Sequence, residues 1–215
     1  DPNFLRSIRE YCNKNNLILI FDECTSGFRE TYGGLHLKYN INPDMVILGK
    51  TLGNGYAINA ILGKKKIMNN ANKTFISSTF WTERIGSVAA LATLKEMKKI
   101  KSWEYISQKG KFVKSEWAKI FFENNLGVEI SGLDAMPVFN FKNKSKNQSF
   151  KLFITKEMLK KGYLASNSFY ASTAHSQKSI NKYLYEFSNV IKNLKKKILN
   201  KSFKINKNSL SQINR

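Results

Sequence analysis

Two charged side chains in this sequence each follow a short apolar run. Asp22 closes Leu17-Ile18-Leu19-Ile20-Phe21, and Lys50 follows Met45-Val46-Ile47-Leu48 and Gly49. Both runs are continuous and rich in branched residues, which suits strands covered on both faces of a parallel sheet. In open α/β sheets the carboxyl ends of such strands face the ligand crevice. A lone carboxylate and a lone amine meeting there could hold a pyridine nitrogen at one end of a flat cofactor and condense with its aldehyde at the other. That is the chemistry of pyridoxal 5'-phosphate. Lys50 would form the Schiff base and then shuttle a proton, while Asp22 would keep the ring nitrogen protonated so that the ring accepts electrons.

Local spacing leaves other readings open. An apolar strand ending in Asp-Glu is also the magnesium-binding Walker B pattern of ATPases, and Gly49-Lys50-Thr51 resembles the end of a phosphate-binding P-loop. The P-loop spacing, however, requires glycine at position 44, where Asp44 stands. The Walker B run would also follow the P-loop rather than precede it. Structural strand ends with no chemistry are the third reading.

Several elements must position these two residues. Pro2 in a first turn and Phe4, Leu5, Ile8, Tyr11 and Cys12 at helical spacing predict a helix over 2–14 that packs on the sheet. Strands are expected at 17–21 and 45–48, with Asn42-Pro43-Asp44 as the turn before the second and Ala57 to Leu62 as a further strand. A helix is expected from an N-cap at Thr82 to about Lys99, its apolar face formed by Ile85, Val88, Ala89, Ala92 and Met97. Ser102 could cap a second helix ending near Gly127. Short strands at Val128–Ile130 and Val138–Phe141 then alternate with helices near Phe150–Lys161 and Ser179–Leu199, and Gly162 reads as a C-cap. Residues 1–100 are thus expected to be part of a three-layer α/β/α domain. Residues 101–215 are expected to form a small α+β domain, with a basic tail from about 200 to 215 disordered.

The chain has 215 residues and a formal net charge of +21. Its 31 Lys against 5 Arg, with 24 Asn and 20 Ile, fit AT-rich coding better than nucleic-acid reading, which favours the planar fork of Arg. A basic nucleic-acid-binding module stays as an alternative, but no nucleic acid is expected. No apolar run approaches the roughly 18 residues that span a bilayer, so no membrane partner is expected. Two cysteines, Cys12 and Cys24, form neither a disulfide framework nor a metal cluster, and a cytoplasmic location is expected. The sequence starts Asp1-Pro2 without an initiator Met, which leads us to expect a fragment.

The stretches Phe21-Asp22-Glu23-Cys24-Thr25-Ser26-Gly27-Phe28-Arg29 and Pro43-Asp44-Met45-Val46-Ile47-Leu48-Gly49-Lys50-Thr51-Leu52-Gly53-Asn54-Gly55 resemble the cofactor-binding region of class III, fold-type I aminotransferases, in particular the glutamate-1-semialdehyde aminomutase branch. Lys50 follows Asp22 by 28 positions, which suits that family. The resemblance implies pyridoxal phosphate, amino-group transfer through a lysine Schiff base and ketimine and pyridoxamine forms, and a homodimer. It implies that Asp22 holds the pyridine nitrogen, that Lys50 is the Schiff-base lysine, and that Thr79 reaches the cofactor phosphate of the partner subunit. Cys24 stands where the family commonly has a valine packed on the cofactor ring. Arg29 is expected to meet a substrate carboxylate or to anchor its loop; Glu23 is a candidate substrate contact that reads better as a structural hydrogen-bonding partner. Phe80-Trp81-Thr82-Glu83-Arg84 replaces the small-residue and proline pattern usual in the aminomutase, which brings a divergent transaminase into play. The phosphate loop and ring-stacking aromatic of the family precede the matched region, so a catalytically incomplete remnant is the alternative.

Overall fold

The computed structural model describes residues 1–203, which form two compact units, one from Asp1 to Glu104 and one from Tyr105 onward. Most of the tail expected to be disordered, from residue 204 on, lies outside the described residues.

In the first unit, α1 (Pro2–Lys14) starts at Asp1, whose carboxylate accepts from the Asn3 N–H at 2.9 Å. Its expected apolar face is partly open: Cys12 is buried and Leu5 and Ile8 are half-buried, whereas Phe4 and Tyr11 are exposed. β1 (Ile20–Glu23) begins three residues later than the apolar run, and Leu17, Ile18 and Ile20 are exposed. The apolar run predicts coverage on both faces. The exposure of Ile20 departs from this, and β1 is an edge of a three-stranded sheet in the order β1, β2 (Met45–Leu48), β3 (Ala60–Gly63). β1 and β2 are parallel, with Asp22 opposite Ile47 and Glu23 opposite Leu48; β3 runs antiparallel to β2.

Two short helices, α2 (His36–Tyr39) and α3 (Lys65–Met68), and two 3-10 turns, Lys50–Leu52 and Asn69–Lys73, lead to α4 (Arg84–Ile100). α4 starts two residues after Thr82, and Glu83 caps it without a side-chain bond. Its buried face is Gly86, Ala90 and Met97, and Ile85 and Val88 face outward. Met97 is buried as expected, and close packing explains the rest: a Cβ at Gly86 would lie 2.7 Å from the Ala57 carbonyl oxygen, so the small side goes inward. The core of this unit joins Val46, Leu48, Leu52, Ala90 and Met97 to Phe28, which anchors the loop after β1.

The second unit begins within α5 (Ser102–Glu123) and continues through the hairpin β4 (Val128–Leu133) and β5 (Met136–Phe141), α6 (Lys144–Lys160) and α7 (Gln177–Leu199). α5 ends four residues before Gly127, and Ser102 lies inside it with its hydroxyl buried and unpartnered instead of capping. α6 starts six residues earlier than expected because the Asn143 side chain accepts from the Lys146 N–H. Gly162, at φ +83°, follows the helix end in the left-handed conformation that suits glycine.

Aromatic rings fill this core. Trp117 meets Phe139 edge-on at 5.0 Å and donates its indole N–H to the Tyr183 hydroxyl at 3.1 Å. Burial pushes the Tyr183 phenol well above its ordinary range, with the Trp117 bond partly opposing it, so the hydroxyl stays protonated. Trp117→Phe keeps a ring but strips that hydroxyl of its donor. We expect it to destabilise the unit by about 1–3 kcal/mol, read as a lower urea midpoint with an unchanged slope.

Candidate functional site

The ends of β1 and β2 carry the site. Because the strands are parallel and in register, Asp22 and the Gly49-Lys50 turn emerge at the same edge of the sheet. Asp22 is exposed, and its Oδ1 accepts the Cys24 N–H at 3.0 Å. That backbone bond, then the Cys24 thiol, holds the Asp22 carboxyl below the usual carboxylate range; desolvation opposes this and the charge of Lys50 assists it. Asp22 is therefore an anion at neutral pH. Burial first, and Asp22 second, push the Cys24 thiol up, which keeps it a protonated, soft side chain and not a nucleophile.

Lys50 sits at φ +40°, a backbone conformation that non-glycine residues rarely adopt and that clusters at functional sites. Its Nζ is 2.5 Å from the Thr25 hydroxyl oxygen. Gly49 directly before it leaves room for two side chains: a Cβ there would press on the Asn59 amide oxygen and lie 3.2 Å from the Cys24 sulfur. Thr25 and Asn59 are therefore neighbours of the lysine turn that the sequence does not single out. Strand patterning says nothing about which loop side chains fold back.

The loop after β1 is built on Glu23, which is 5% exposed. Its carboxylate accepts from the Leu35 and His36 N–H groups, from the Ser26 hydroxyl at 3.3 Å, and lies 2.7 Å from His36 Nδ1. The carboxylate oxygens of Glu23 are thus taken up by groups of the protein, which favours the reading of Glu23 as a structural hydrogen-bonding partner. Arg29 donates its Nε–H to the Thr25 carbonyl at 2.7 Å, which favours the loop-anchoring reading of that residue. Gly27 allows the tight return: a Cβ would lie 2.8 Å from Leu48 and 2.9 Å from the Glu23 carbonyl oxygen. Thr79 is exposed in the segment before α4, and among the described residues no hydrogen bond joins it to Asp22 or Lys50.

The P-loop reading loses its support here. A P-loop opens a helix whose N-terminus faces phosphate, whereas Lys50 opens a three-residue 3-10 turn. The donor set fits pyridoxal phosphate at two points: an ionised carboxylate suited to a pyridinium N–H, and an exposed primary amine suited to an aldehyde.

Comparison with known proteins gives the family. The family model for aminotransferase class III matches residues 1–173. The chain is 37% identical over 142 residues to a 3-aminobutyryl-CoA aminotransferase of Cloacimonas acidaminovorans, covering 66% of this chain and 34% of that protein. It is 32% identical over 215 residues to a glutamate-1-semialdehyde 2,1-aminomutase of Wigglesworthia glossinidia brevipalpis, covering 92% of this chain and 49% of that protein. The FumI protein of Sphingopyxis sp. MTA144, solved in its pyridoxal phosphate internal aldimine form, superposes with a TM-score of 0.87 at 22% identity over 95% of this chain and 49% of its own. The chain thus spans at most about half the length of these relatives, and its fold is that of the fold-type I transaminases. By sequence and by fold, the chain belongs to the class III aminotransferase family.

Proposed function

We propose that this chain contributes Lys50 and Asp22 to a pyridoxal phosphate site that transfers an amino group between an amine and a carbonyl compound. The observation that carries the reading is the convergence of one ionised carboxylate and one exposed amine at adjacent parallel strand ends. Residues up to about 100 act as the C-terminal part of the cofactor-binding domain, and the second unit acts as the small domain. Membership of the class III family and the presence of both an aminomutase and an aminotransferase among the relatives support this class of reaction.

When bound, the cofactor supplies an aldehyde for covalent attachment and a protonated ring that accepts an electron pair from a substrate carbon. Asp22 accepts the ring N–H and keeps that proton in place. Lys50 would be the amine to which the cofactor attaches and, once an incoming amine takes its place, the base that carries a proton. Cys24 packs beside the ring as a neutral side chain.

The working assembly is a homodimer. Thr79 belongs to an exposed apolar surface with Phe75, Phe80, Trp81, Ile85 and Val88, which suits burial against a second copy and would carry Thr79 to the partner's cofactor phosphate. Both cysteines are free, which fits a reducing cytoplasm, and among the described residues no helix is long and apolar enough to cross a membrane.

The test is absorbance of the purified full chain with pyridoxal phosphate, followed by borohydride reduction and peptide mapping. A reduced adduct concentrated on Lys50 supports the proposal, and a spectrum of free cofactor alone overturns it for this chain. Asp22→Asn should retain the adduct on Lys50 while raising the dissociation constant about ten- to a hundredfold, because a charge-assisted hydrogen bond is lost. Titration of the visible imine band checks this.

A further inference from the structure

The Thr25 hydroxyl lies 2.5 Å from Lys50 Nζ, although the two residues are 25 positions apart. Thr25 has its own support. Arg29 Nε donates to its carbonyl at 2.7 Å, and Gly27 N donates to the Glu23 carbonyl at 2.8 Å, so the backbone on both sides of Thr25 is tied down. A β-branched side chain on a fixed backbone has few χ1 choices, which makes the hydroxyl a fixed acceptor. On the other side of the contact, the lysine leaves a left-handed backbone position at φ +40°, which costs energy and persists only where the surroundings hold it. A flexible four-carbon amine would otherwise sample many rotamers.

We propose that Thr25 is a positioning residue for Lys50, its hydroxyl anchoring the amine at the carboxyl end of β2, with Arg29 bracing Thr25 through its carbonyl. The proposal rests on the reading of Lys50 as the attachment lysine for its benefit to the reaction, but not for the contact itself. Holding the amine in one direction raises the fraction of molecules in which its nitrogen faces an incoming aldehyde. The same contact leaves the exposed amine fewer directions in which to meet any other reagent. Arg29 thereby acts one residue removed from the amine.

Competitive acetylation of the full chain with acetic anhydride, quantified lysine by lysine by mass spectrometry, reads this without any cofactor. Thr25→Val keeps the shape and removes the hydroxyl; Thr25→Ser keeps the hydroxyl. We expect Lys50 labelling to rise about three- to tenfold in Thr25→Val, to return near the wild-type rate in Thr25→Ser, and Lys64 labelling to stay constant in both. Lys64 is the control because its ammonium pairs with Asp44 at 2.6 Å in the same unit. Unchanged Lys50 labelling in Thr25→Val overturns the proposal. A rise shared equally by Lys64 assigns the effect to loosening of the whole unit and also overturns it. Thr25→Ala, which removes the hydroxyl without adding a methyl group to the loop, repeats the measurement where the valine variant folds poorly.

Pyridoxal phosphate attachment on the same variants separates the two claims. A positioning effect in the labelling, together with no adduct on Lys50 in any version, keeps the role of Thr25 and removes the cofactor reading. An equal rate of adduct formation in wild type and Thr25→Val, with equal labelling, removes the role of Thr25 and keeps the cofactor reading.

Discussion

Lys50→Ala should abolish the borohydride-reducible adduct at position 50 and take with it the visible imine absorbance that depends on this site. The effect is all-or-none because the alanine side chain has no nitrogen to attack the aldehyde. With 31 lysines in the chain, pyridoxal phosphate will modify some of them at random, so the measurement that matters is the distribution of reduced adduct over peptides. In the wild type the Lys50 peptide should carry most of it; in Lys50→Ala only the weak, even background should remain. Lys50→Arg sharpens the result. Arginine keeps the positive charge near Asp22 yet stays protonated and does not condense, so loss of the adduct in both variants assigns it to the amine and not to the charge. An adduct that survives at full strength in Lys50→Ala would move the attachment to another lysine and overturn the proposed function.

Lys50 and Asp22 are legible in the sequence for a physical reason. Each follows a run of branched apolar residues, and the end of a parallel strand is one of the few places where local sequence and ligand position are linked. The neighbours of Lys50 are not legible in the same way. Thr25 and Asn59 approach it only after loops close, and loop closure depends on Glu23, Gly27 and Phe28 binding to groups as far away as His36 and Leu48. Glu23 reads as a structural partner from the sequence, but the groups it accepts from lie 12 and 13 positions downstream, beyond any local pattern.

The buried face of α4 shares Met97 with the one periodicity predicts but is otherwise turned away from it, for a different reason. Its sequence is apolar on more than one side, so periodicity alone leaves the face open, and the decision falls to backbone approach at Gly86. The late start of β1 and the exposure of Ile20 depart from the burial that a run of five apolar residues predicts; β1 lies at the sheet edge, and the structure gives no local reason for the open side chain. In the second unit some element ends do follow local signals, since the helix caps at Asn143 and Ser176 and the left-handed Gly162 act over three or four residues.

Asp44 is legible only as the end of a turn, and it carries the second large expectation. Its side chain is 9% exposed and accepts from the Leu19 N–H at 2.8 Å, from Arg9 at 2.8 Å and from Lys64 at 2.6 Å. One carboxylate thus joins α1, the segment entering β1 and the segment leaving β3. Asp44→Ala should destabilise the first unit by about 3–5 kcal/mol, because removing one member of a buried ionic cluster leaves its partners desolvated and unpaired. The partners differ in how well they can recover. Lys64 is 57% exposed and returns to water, but Arg9 is 15% exposed and its Nε is already buried without a partner, and the Leu19 N–H loses its acceptor. Most of the loss therefore comes from Arg9 and Leu19, and Asp44→Asn, which keeps an acceptor for Leu19, should lose less.

The same cluster sets an acid limit. Burial acts to raise the Asp44 carboxyl, but the Leu19 N–H, Lys64 and Arg9 outweigh it and hold the group well below the usual carboxylate range. Unfolded, the carboxyl returns to about 3.9. A group depressed on folding stabilises the protein above its unfolded value and loses that contribution as pH falls toward its folded value. The wild type should therefore lose stability below about pH 4 through this group, whereas Asp44→Ala has no such contribution to lose. General acid repulsion in a chain of net charge +21 affects both proteins, so the informative quantity is the difference between them. Urea unfolding of both at about pH 7 and about pH 3, followed by tryptophan fluorescence, should show the gap at neutral pH narrowing in acid. A gap that stays constant with pH would mean that Asp44 stabilises through shape alone, and that its three bonds do not favour the charged form.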